Sequence, residues 1–280
     1  MTEIGFRSDA AAVITGAGGG IGGAVALQLA GAGMSLVLAD RDRTGLERLL
    51  GELPAGTAVE LLVGDVGDRS HHEDLVTAAA DLGGLAVSVL NAGVSLTGLS
   101  WEVPLEEWEL QVRVNYWGVV HGIRAAVPAM IDRGGGHVVA LASGAGLVAT
   151  PGLAPYVSTK HAVVGAMESL HHELALVAPT VHASVVCPGN VATSIASNSM
   201  SAAGSDDREL VGEADVLDRV VQAGVSSGAP PESIAEAIAG ALADRRFWVL
   251  PQPEIAWAAT DRVRRMAAGD APIDLLSPPR

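Results

Sequence analysis

The sequence predicts one α/β domain, a doubly wound parallel sheet of about seven strands flanked by helices. Three observations carry that prediction. Short aliphatic and β-branched runs alternate with longer helical patterns from residue 11 to about 187. The runs are mostly apolar instead of alternating regularly with polar residues, as strands covered on both faces should be. The composition is 49% hydrophobic but only 3% aromatic, which suits the aliphatic core of a buried parallel sheet.

The strand candidates are, in order, Ala11–Thr15, Ser35–Ala39, Val59–Val63, Ala86–Leu90, His137–Ala142 and Val181–Cys187. Between them, helical periodicity predicts helices near 21–32, 44–52, 71–82, 104–132 and 154–178. Thr44 with Glu47, and Ser70 with Glu73, have the spacing of capping boxes that open the second and third of these helices. From Pro188 to about Ser227 the pattern loosens into Ser, Gly, Asn and Asp, and the stretch 190–227 is expected to act as a lid. Order resumes with a helix at Pro231–Ala243, a short strand at Phe247–Leu250 and a last helix at Glu254–Met266. The Pro-rich tail, 268–280, is expected to be poorly ordered. No repeat and no composition break marks a second domain, so the whole of 1–280 is expected to be one unit.

The formal charge is −15 and the pI about 4.8, which argues against nucleic acid or an anionic membrane as the main partner. A single cysteine, Cys187, rules out an internal disulfide and fits a reducing compartment. No stretch reaches the roughly 18 apolar residues that a membrane span needs, so a cytoplasmic protein is expected. The histidine pairs His71-His72 and His171-His172 point about 100° apart on a helix and lack metal-ligand spacing. They read as solvated helix faces, and no metal is expected. Cys187 reads as a small core residue, Trp108 and Trp117 as packing, and Trp101 as packing or a substrate wall.

The candidate site begins with Lys160, the only lysine, standing four residues after Tyr156, one of two tyrosines. Every other basic side chain is Arg, which points to a demand at this position for an ammonium on a flexible stem. At i and i+4 the phenol and the ammonium share one helical face. Upstream, Thr15-Gly16-Ala17-Gly18-Gly19-Gly20-Ile21-Gly22 joins the first strand to an Ala/Leu helix. Such a turn lets backbone approach a pyrophosphate at a helix N-terminus, as dinucleotide-binding proteins do. The second strand ends at Asp40, whose carboxylate can accept both hydroxyls of an adenosine ribose and would repel a 2′-phosphate. Arg41 follows and can pair with that phosphate, and Asp40 can alternatively cap the next helix. The balance favours NAD over NADP.

Taken together, these motifs resemble those of the short-chain dehydrogenase/reductase family, in its compact branch, over about residues 10–195. Thr15–Gly22 is similar to TGxxxGxG, Asp65-Val66 to the acidic pair at adenine, and Asn91-Ala92-Gly93 to NAG after the fourth strand. Asn115, Ser143, Tyr156 and Lys160 match the catalytic set, and Pro188-Gly189-Asn190-Val191-Ala192-Thr193 is similar to PGxVxT. The resemblance implies a Rossmann-type fold. It also implies that Gly16, Gly18, Gly19, Gly20, Ile21, Gly22, Asp40, Arg41, Asp65, Val66, Asn91, Ala92, Gly93, Tyr156, Lys160, Pro188, Gly189, Val191 and Thr193 bind the dinucleotide. Val191 and Thr193 would hold its carboxamide. Two positions depart from the pattern. Leu90 replaces a frequent first Asn, and Asn190 stands where many relatives carry a bulkier residue.

By this resemblance the chain interconverts a secondary alcohol and a ketone. Tyr156 exchanges the proton, Ser143 binds the substrate oxygen, Lys160 favours the phenolate, and Asn115 holds a relay water. A free Tyr has a pKa near ~10, and one nearby cation lowers a pKa by about 1–3 units. Pocket segments 94–101, 144–154 and 190–227 carry Leu96, Leu99, Trp101, Leu147, Val148, Leu153, Ile195 and Met200. These predict a mostly apolar substrate: cyclic, aryl, terpenoid or steroid-like. In the family that the chain resembles, the helices corresponding to 104–132 and 154–178 form a four-helix subunit interface, so the resemblance implies a homotetramer, with a homodimer next. A dinucleotide sensor without chemistry is the alternative, and the intact catalytic set argues against it.

Overall fold

The computed structural model describes residues 10–205 and 209–273. Seven strands form one parallel sheet: β1 (Ala11–Thr15), β2 (Ser35–Asp40), β3 (Val59–Val63), β4 (Leu85–Leu90), β5 (Gly136–Leu141), β6 (Val181–Val186) and β7 (Trp248–Val249). Their order across the sheet is β3-β2-β1-β4-β5-β6-β7. The chain therefore builds outward from β1 to β3, returns to the middle, and builds outward again from β4. The reversal leaves a crevice between β1 and β4 at the C-terminal edge of the sheet, where open α/β sheets bind ligands. Because all strands are parallel, the loops leaving β1, β4, β5, β6 and β7 open onto that edge.

Helices α1 (Gly20–Gly31), α2 (Arg43–Glu52), α3 (Arg69–Asp81), α4 (Leu105–Gln111), α5 (Gly118–Arg133) and α6 (Ala154–Val177) connect these strands. The later helices are α7 (Ile195–Ala203), α8 (Gly212–Ser226), α9 (Pro231–Asp244) and α10 (Pro253–Ala268). Strand side chains alternate between two apolar layers, as a period of two requires. Ala12, Ile14, Leu36 and Leu38 face one layer with Val25, Leu29, Ile234 and Ile238, from α1 and α9. Ala11, Val13, Val37 and Ala39 face the other, with Leu75, Met130, Met167 and Leu170 from α3, α5 and α6.

Several expectations need correction. Thr44 does not cap α2. That helix starts a residue earlier, and Asp42 caps it by accepting from Thr44 N–H at 3.0 Å. Nor does Ser70 cap α3, which opens at Arg69 after Asp68, with no side-chain cap. The single helix expected over 104–132 is α4 and α5 joined by a π-helical turn, Val112–Trp117. His71 and His72 are buried instead of solvated, because α3 is packed against both the sheet and α5; His171 and His172 are exposed as expected. Trp117 stacks on His121, ring centres 5.8 Å apart, and leaves 47% of its surface exposed, so it packs only in part. The stretch expected as a loose lid contains α7 and α8, and the last strand is only two residues long. Within the expected tail, Ala268 closes α10; residues 274–280 lie outside the described residues, as do 1–9 and, within the expected lid, 206–208. No helix among the described residues is long and apolar enough to cross a membrane.

Candidate active site

The loop after β1 folds back on itself because two of its glycines adopt positive φ, Gly16 at 66° and Gly20 at 53°, where a side chain would be strained. Gly16 also has no room for a Cβ, which would fall 2.8 Å from Asn91 Nδ2 and 2.9 Å from Ala92 Cα. Asn91, at the exit of β4, pins this turn: its Nδ2 donates to Thr15 O at 2.9 Å and to Gly16 O at 3.1 Å. Thr15 Oγ1 returns the contact by accepting from Asn91 N–H and Ala92 N–H, at 3.0 and 3.2 Å. Gly22 has a different part. It is buried, and a Cβ there would lie 2.2 Å from Gly16 O, so glycine lets α1 close onto the turn.

Asp40 ends β2 with both carboxylate oxygens engaged: Gly18 N–H donates to Oδ2 at 2.8 Å and Asp42 N–H to Oδ1 at 3.0 Å. Arg48 Nη2 donates to Gly18 O at 2.8 Å from the same side. Asp65, after β3, accepts from Gly67 N–H at 2.8 Å and forms an ion pair with Arg113 in the π-helical turn. Partial burial works to raise the Asp65 carboxyl, but the bonds from Arg113 and Gly67 and the charges of Arg113 and Arg41 hold it below the usual carboxylate range.

The four candidate catalytic residues come from three places. Ser143 follows β5, and its Oγ accepts from Ala145 N–H at 3.1 Å as the next short helical turn begins. Tyr156 and Lys160 lie in the first two turns of α6, which Pro155 opens at a position where a missing N–H costs nothing. Asn115 sits in the π-helical turn, a rare geometry that is frequent at functional sites. It is wholly buried: Oδ1 accepts from Val94 N–H and Nδ2 donates to Val94 O, both at 2.8 Å, and Nδ2 also donates to Thr159 Oγ1 at 3.1 Å. Thr159 in turn donates to Tyr156 O at 2.8 Å. Asn115 thus ties the β4 exit to the helix that carries Tyr156. Both its N–H donors and one acceptor site are spent on this tie, which leaves its side chain one acceptor site for a water.

Lys160 is 3% exposed and donates from Nζ to Leu141 O at 2.7 Å, with Nζ 5.6 Å from the Tyr156 ring centre. Burial pushes its ammonium down to about 8. The expectation of a depressed phenol does not hold for the protein alone: burial raises Tyr156 above its ordinary value, against the opposing hydrogen bond with Ser143. Lys160 Nζ donates to main chain, at Leu141 O. Cys187, fully buried, has a thiol pushed up to about 12 by burial, which suits a packed core residue and not a nucleophile.

Most of these groups meet around one cavity of about 1230 Å³. Gly16, Gly18, Gly19, Gly20, Ile21, Asp40, Arg41, Asp65, Val66, Asn91, Ala92 and Gly93 line it, as do Ser143, Tyr156, Lys160, Pro188, Gly189, Val191 and Thr193. Gly22 and Asn115 do not; they stand behind it. Of the expected substrate-pocket side chains, Val148, Leu153 and Ile195 line the cavity, whereas Leu96 is buried in the core and Trp101 is 79% exposed away from it. Leu90 packs against α5, where a Cβ on Gly122 would meet it at 2.2 Å, so an apolar contact replaces the frequent asparagine. Sequence reasoning missed Arg48, Arg113, Thr159 and the wall formed by Gln252, Glu254, Ile255 and Ala258. Among the described residues no group of three or more His, Cys, Asp or Glu can hold a metal.

A glycine-lined cradle beside a Ser–Tyr–Lys set, at the switch point of a parallel sheet, defines a Rossmann-type oxidoreductase domain. The family model described as short chain dehydrogenase matches residues 10–204. The chain belongs to that family. The "CLA biosynthesis dehydrogenase/reductase" of Lactiplantibacillus plantarum is 31% identical over 272 residues, covering 94% of this chain and 95% of that one. A "1-deoxy-11-beta-hydroxypentalenate dehydrogenase" of Streptomyces avermitilis is 41% identical over 187 residues, covering 65% and 68%. Among solved structures, a short chain dehydrogenase/reductase from Burkholderia phymatum in complex with NAD superposes with a TM-score of 0.90. It is 34% identical and covers 98% of this chain and 100% of that one.

Proposed function

We propose that this protein is an NAD-dependent oxidoreductase that interconverts a secondary alcohol and a ketone. The observation that carries the proposal is the meeting of Ser143, Tyr156 and Lys160 in one cavity with the glycine cradle and Asp40. The residues fit a dinucleotide. Gly16 and Gly20 leave the backbone bare where a phosphate would approach, and Asp40 keeps free lone pairs for ribose hydroxyls. Arg41 and Arg48 line the same end, and Arg48 is already engaged with Gly18 O, so the choice of NAD over NADP rests on Asp40. The NAD in the Burkholderia structure agrees with it.

In this reading Gly16–Ile21 would hold the pyrophosphate, Asp40 the adenosine ribose, Asp65 and Val66 the adenine, and Val191 with Thr193 the carboxamide. The bound dinucleotide supplies the hydride chemistry. Ser143 orients the substrate oxygen by hydrogen bonding. Tyr156 gives that oxygen a proton in the reductive direction and takes it back in the oxidative one, help worth roughly 10²–10⁴-fold. Its raised pKa keeps the phenol protonated at neutral pH, so the protein alone stands ready as the acid. Lys160, at about 8, keeps its charge at neutral pH and is the cation nearest the ring for the opposite direction. Asn115 holds Val94 and Tyr156 in register from behind, with one acceptor site left for a relay water.

The substrate end is lined by Val148, Leu153, Ile195, Val220, Val221, Val225, Ile255 and Ala258, with Ser95, Thr150, Asn198, Ser201 and Glu254 among them. That balance supports a mostly apolar alcohol, cyclic, aryl, terpenoid or steroid-like, and the hydroxypentalenate in the Streptomyces relative's name agrees. The segment 190–227, with α7 and α8 over the cavity, would serve as the lid. Trp117, Ile131, Leu176 and Val177 are exposed on or next to α5 and α6, which supports a homotetramer, or failing that a homodimer. Absorbance at 340 nm with NAD and a panel of secondary alcohols tests the function. Turnover that Tyr156→Phe abolishes, with NADH binding retained, is the expected result. Turnover unaffected by Tyr156→Phe would refute the mechanism.

A further inference from the structure

The family match ends at residue 204, so the segment that leaves β7 lies beyond it. That segment nevertheless grips the loop after β6. The side-chain amide of Gln252 meets two main-chain groups there: its Oε1 accepts from Gly189 N–H at 2.9 Å, and its Nε2 donates to Asn190 O at 3.2 Å. Asn190 O also accepts from Ala229 N–H at 2.9 Å, so the same carbonyl is held from a second side by the chain just after the lid.

Gln252 is itself fixed in place. It stands at the N-cap position of α10, where its carbonyl accepts from Ile255 N–H at 3.1 Å. The Ile255 side chain then lies over two glycines: a Cβ on Gly144 would fall 2.7 Å from its Cδ1, and one on Gly189 would fall 3.3 Å away. Gly144 N–H donates to Pro188 O at 2.7 Å, which joins the loop after β6 to the turn that carries Ser143. The Pro188–Asn190 main chain is therefore clamped between the β5 exit and the β7 exit. One planar group carrying both a donor and an acceptor is what this clamp uses, and a side-chain amide supplies it.

We propose that Gln252 is a positioning residue for the nicotinamide end of the dinucleotide, acting through the Pro188–Val191 loop. The proposal rests on the reading above that assigns the carboxamide to Val191 and Thr193. Removing the amide frees the loop to shift relative to Ser143 and Tyr156 while leaving the adenine end, at Asp40 and Asp65, untouched.

Calorimetric titration of the full chain with NADH and with ADP-ribose, which shares the adenine half and lacks nicotinamide, tests this. Gln252→Leu is expected to weaken NADH about tenfold, the loss of two modest hydrogen bonds, and to leave ADP-ribose unchanged. Gln252→Glu, which can still accept from Gly189 but donates nothing to Asn190, is expected to fall between, and it serves as the probe where the leucine variant does not fold. Equal losses for both ligands, or none for either, would overturn the proposal. Wild-type protein that binds NADH no more tightly than ADP-ribose would overturn the carboxamide assignment and the proposal together. A wild-type preference for NADH that both variants keep in full would overturn the proposal alone.

Discussion

Acid should unfold this protein through two buried histidines that take no part in the proposed chemistry. His137, on β5, and His72, on α3, are 0% and 3% exposed, and burial lowers them to about 3 and about 4. Both are neutral in the fold. His137 Nε2 lies 2.7 Å from Ser184 Oγ, which spends its own proton on Arg246 O at 2.6 Å, so the ring must be the donor. Among the described residues its Nδ1 has no partner to welcome a second proton. In the unfolded chain both rings return to about 6.5. Below that pH the unfolded state binds protons that the folded state refuses, so stability falls as pH drops from about 6.5 towards the folded values, and not beyond them. Worked at pH 5 against pH 7.5, each histidine costs about 2 kcal/mol, or about 4 kcal/mol together, a large share of a typical 5–15 kcal/mol. His71 and His182, also lowered by burial, act in the same direction. Asp65 does not contribute in this window, because its depressed carboxyl loses its advantage only below the ordinary carboxylate value. Urea unfolding at the two pH values and one protein concentration measures the loss. His137→Asn removes the titration, and the fall between pH 7.5 and pH 5 should shrink by about 2 kcal/mol. A variant that loses as much as the wild type would refute the assignment, whatever its stability at pH 7.5.

Three further outcomes follow from the site. Asp40→Ala should weaken NAD and narrow the gap to NADP, since it removes the carboxylate that repels a 2′-phosphate; an unchanged coenzyme ratio in binding titrations counts against its role. The same change also strips Gly18 N–H of its acceptor, so both affinities should fall somewhat. Gly22→Ala should destabilise the fold by about 1–3 kcal/mol, the usual cost of overpacking, because the new Cβ would lie 2.2 Å from Gly16 O; thermal unfolding checks this, and an unaltered midpoint would show that α1 can move. Lys160→Arg should lose most turnover, because a guanidinium fork does not fit the buried slot that lets Nζ reach Leu141 O; retained activity would show that charge alone suffices.

What could be read from the sequence and what could not divide along a physical line. Gly16, Gly22, Asn91, Tyr156 and Lys160 are legible because each position admits few residue types: a bare backbone, an amide that bridges two carbonyls, a phenol, an ammonium. The strands are legible because a sheet covered on both faces must be mostly apolar, and these runs are, with few exceptions such as Glu60 on the edge strand β3. Helix starts are less so. Asp42 and Thr44 are both good capping residues two positions apart, and periodicity locates a helix without saying which of them faces its first N–H groups. The π-helical turn is hidden for a similar reason: one extra residue in a turn leaves Val112–Trp117 looking helical in the sequence. His71 and His72 read as solvated because a polar pair on a helix gives no sign of what packs over it. Gly64 vacates the space His71 fills, and Val66 O takes the bond from His72.

The partners of the legible residues are harder to read than the residues themselves. Lys160 stands out as the one lysine, yet it donates to Leu141 O, a main-chain group any residue would provide. Gln252 bonds to Gly189 N–H and Asn190 O, again main chain, and from 63 and 62 positions away. No motif records such a contact, because the partner constrains no side chain. It follows that the motif-bearing loops of this site mark where the proposed dinucleotide chemistry would take place, while residues such as Thr159, Arg113 and Gln252, which tie those loops to distant elements, can be found only once those elements are brought together. Substitutions at those three positions are where the site should prove most sensitive without any motif having announced it.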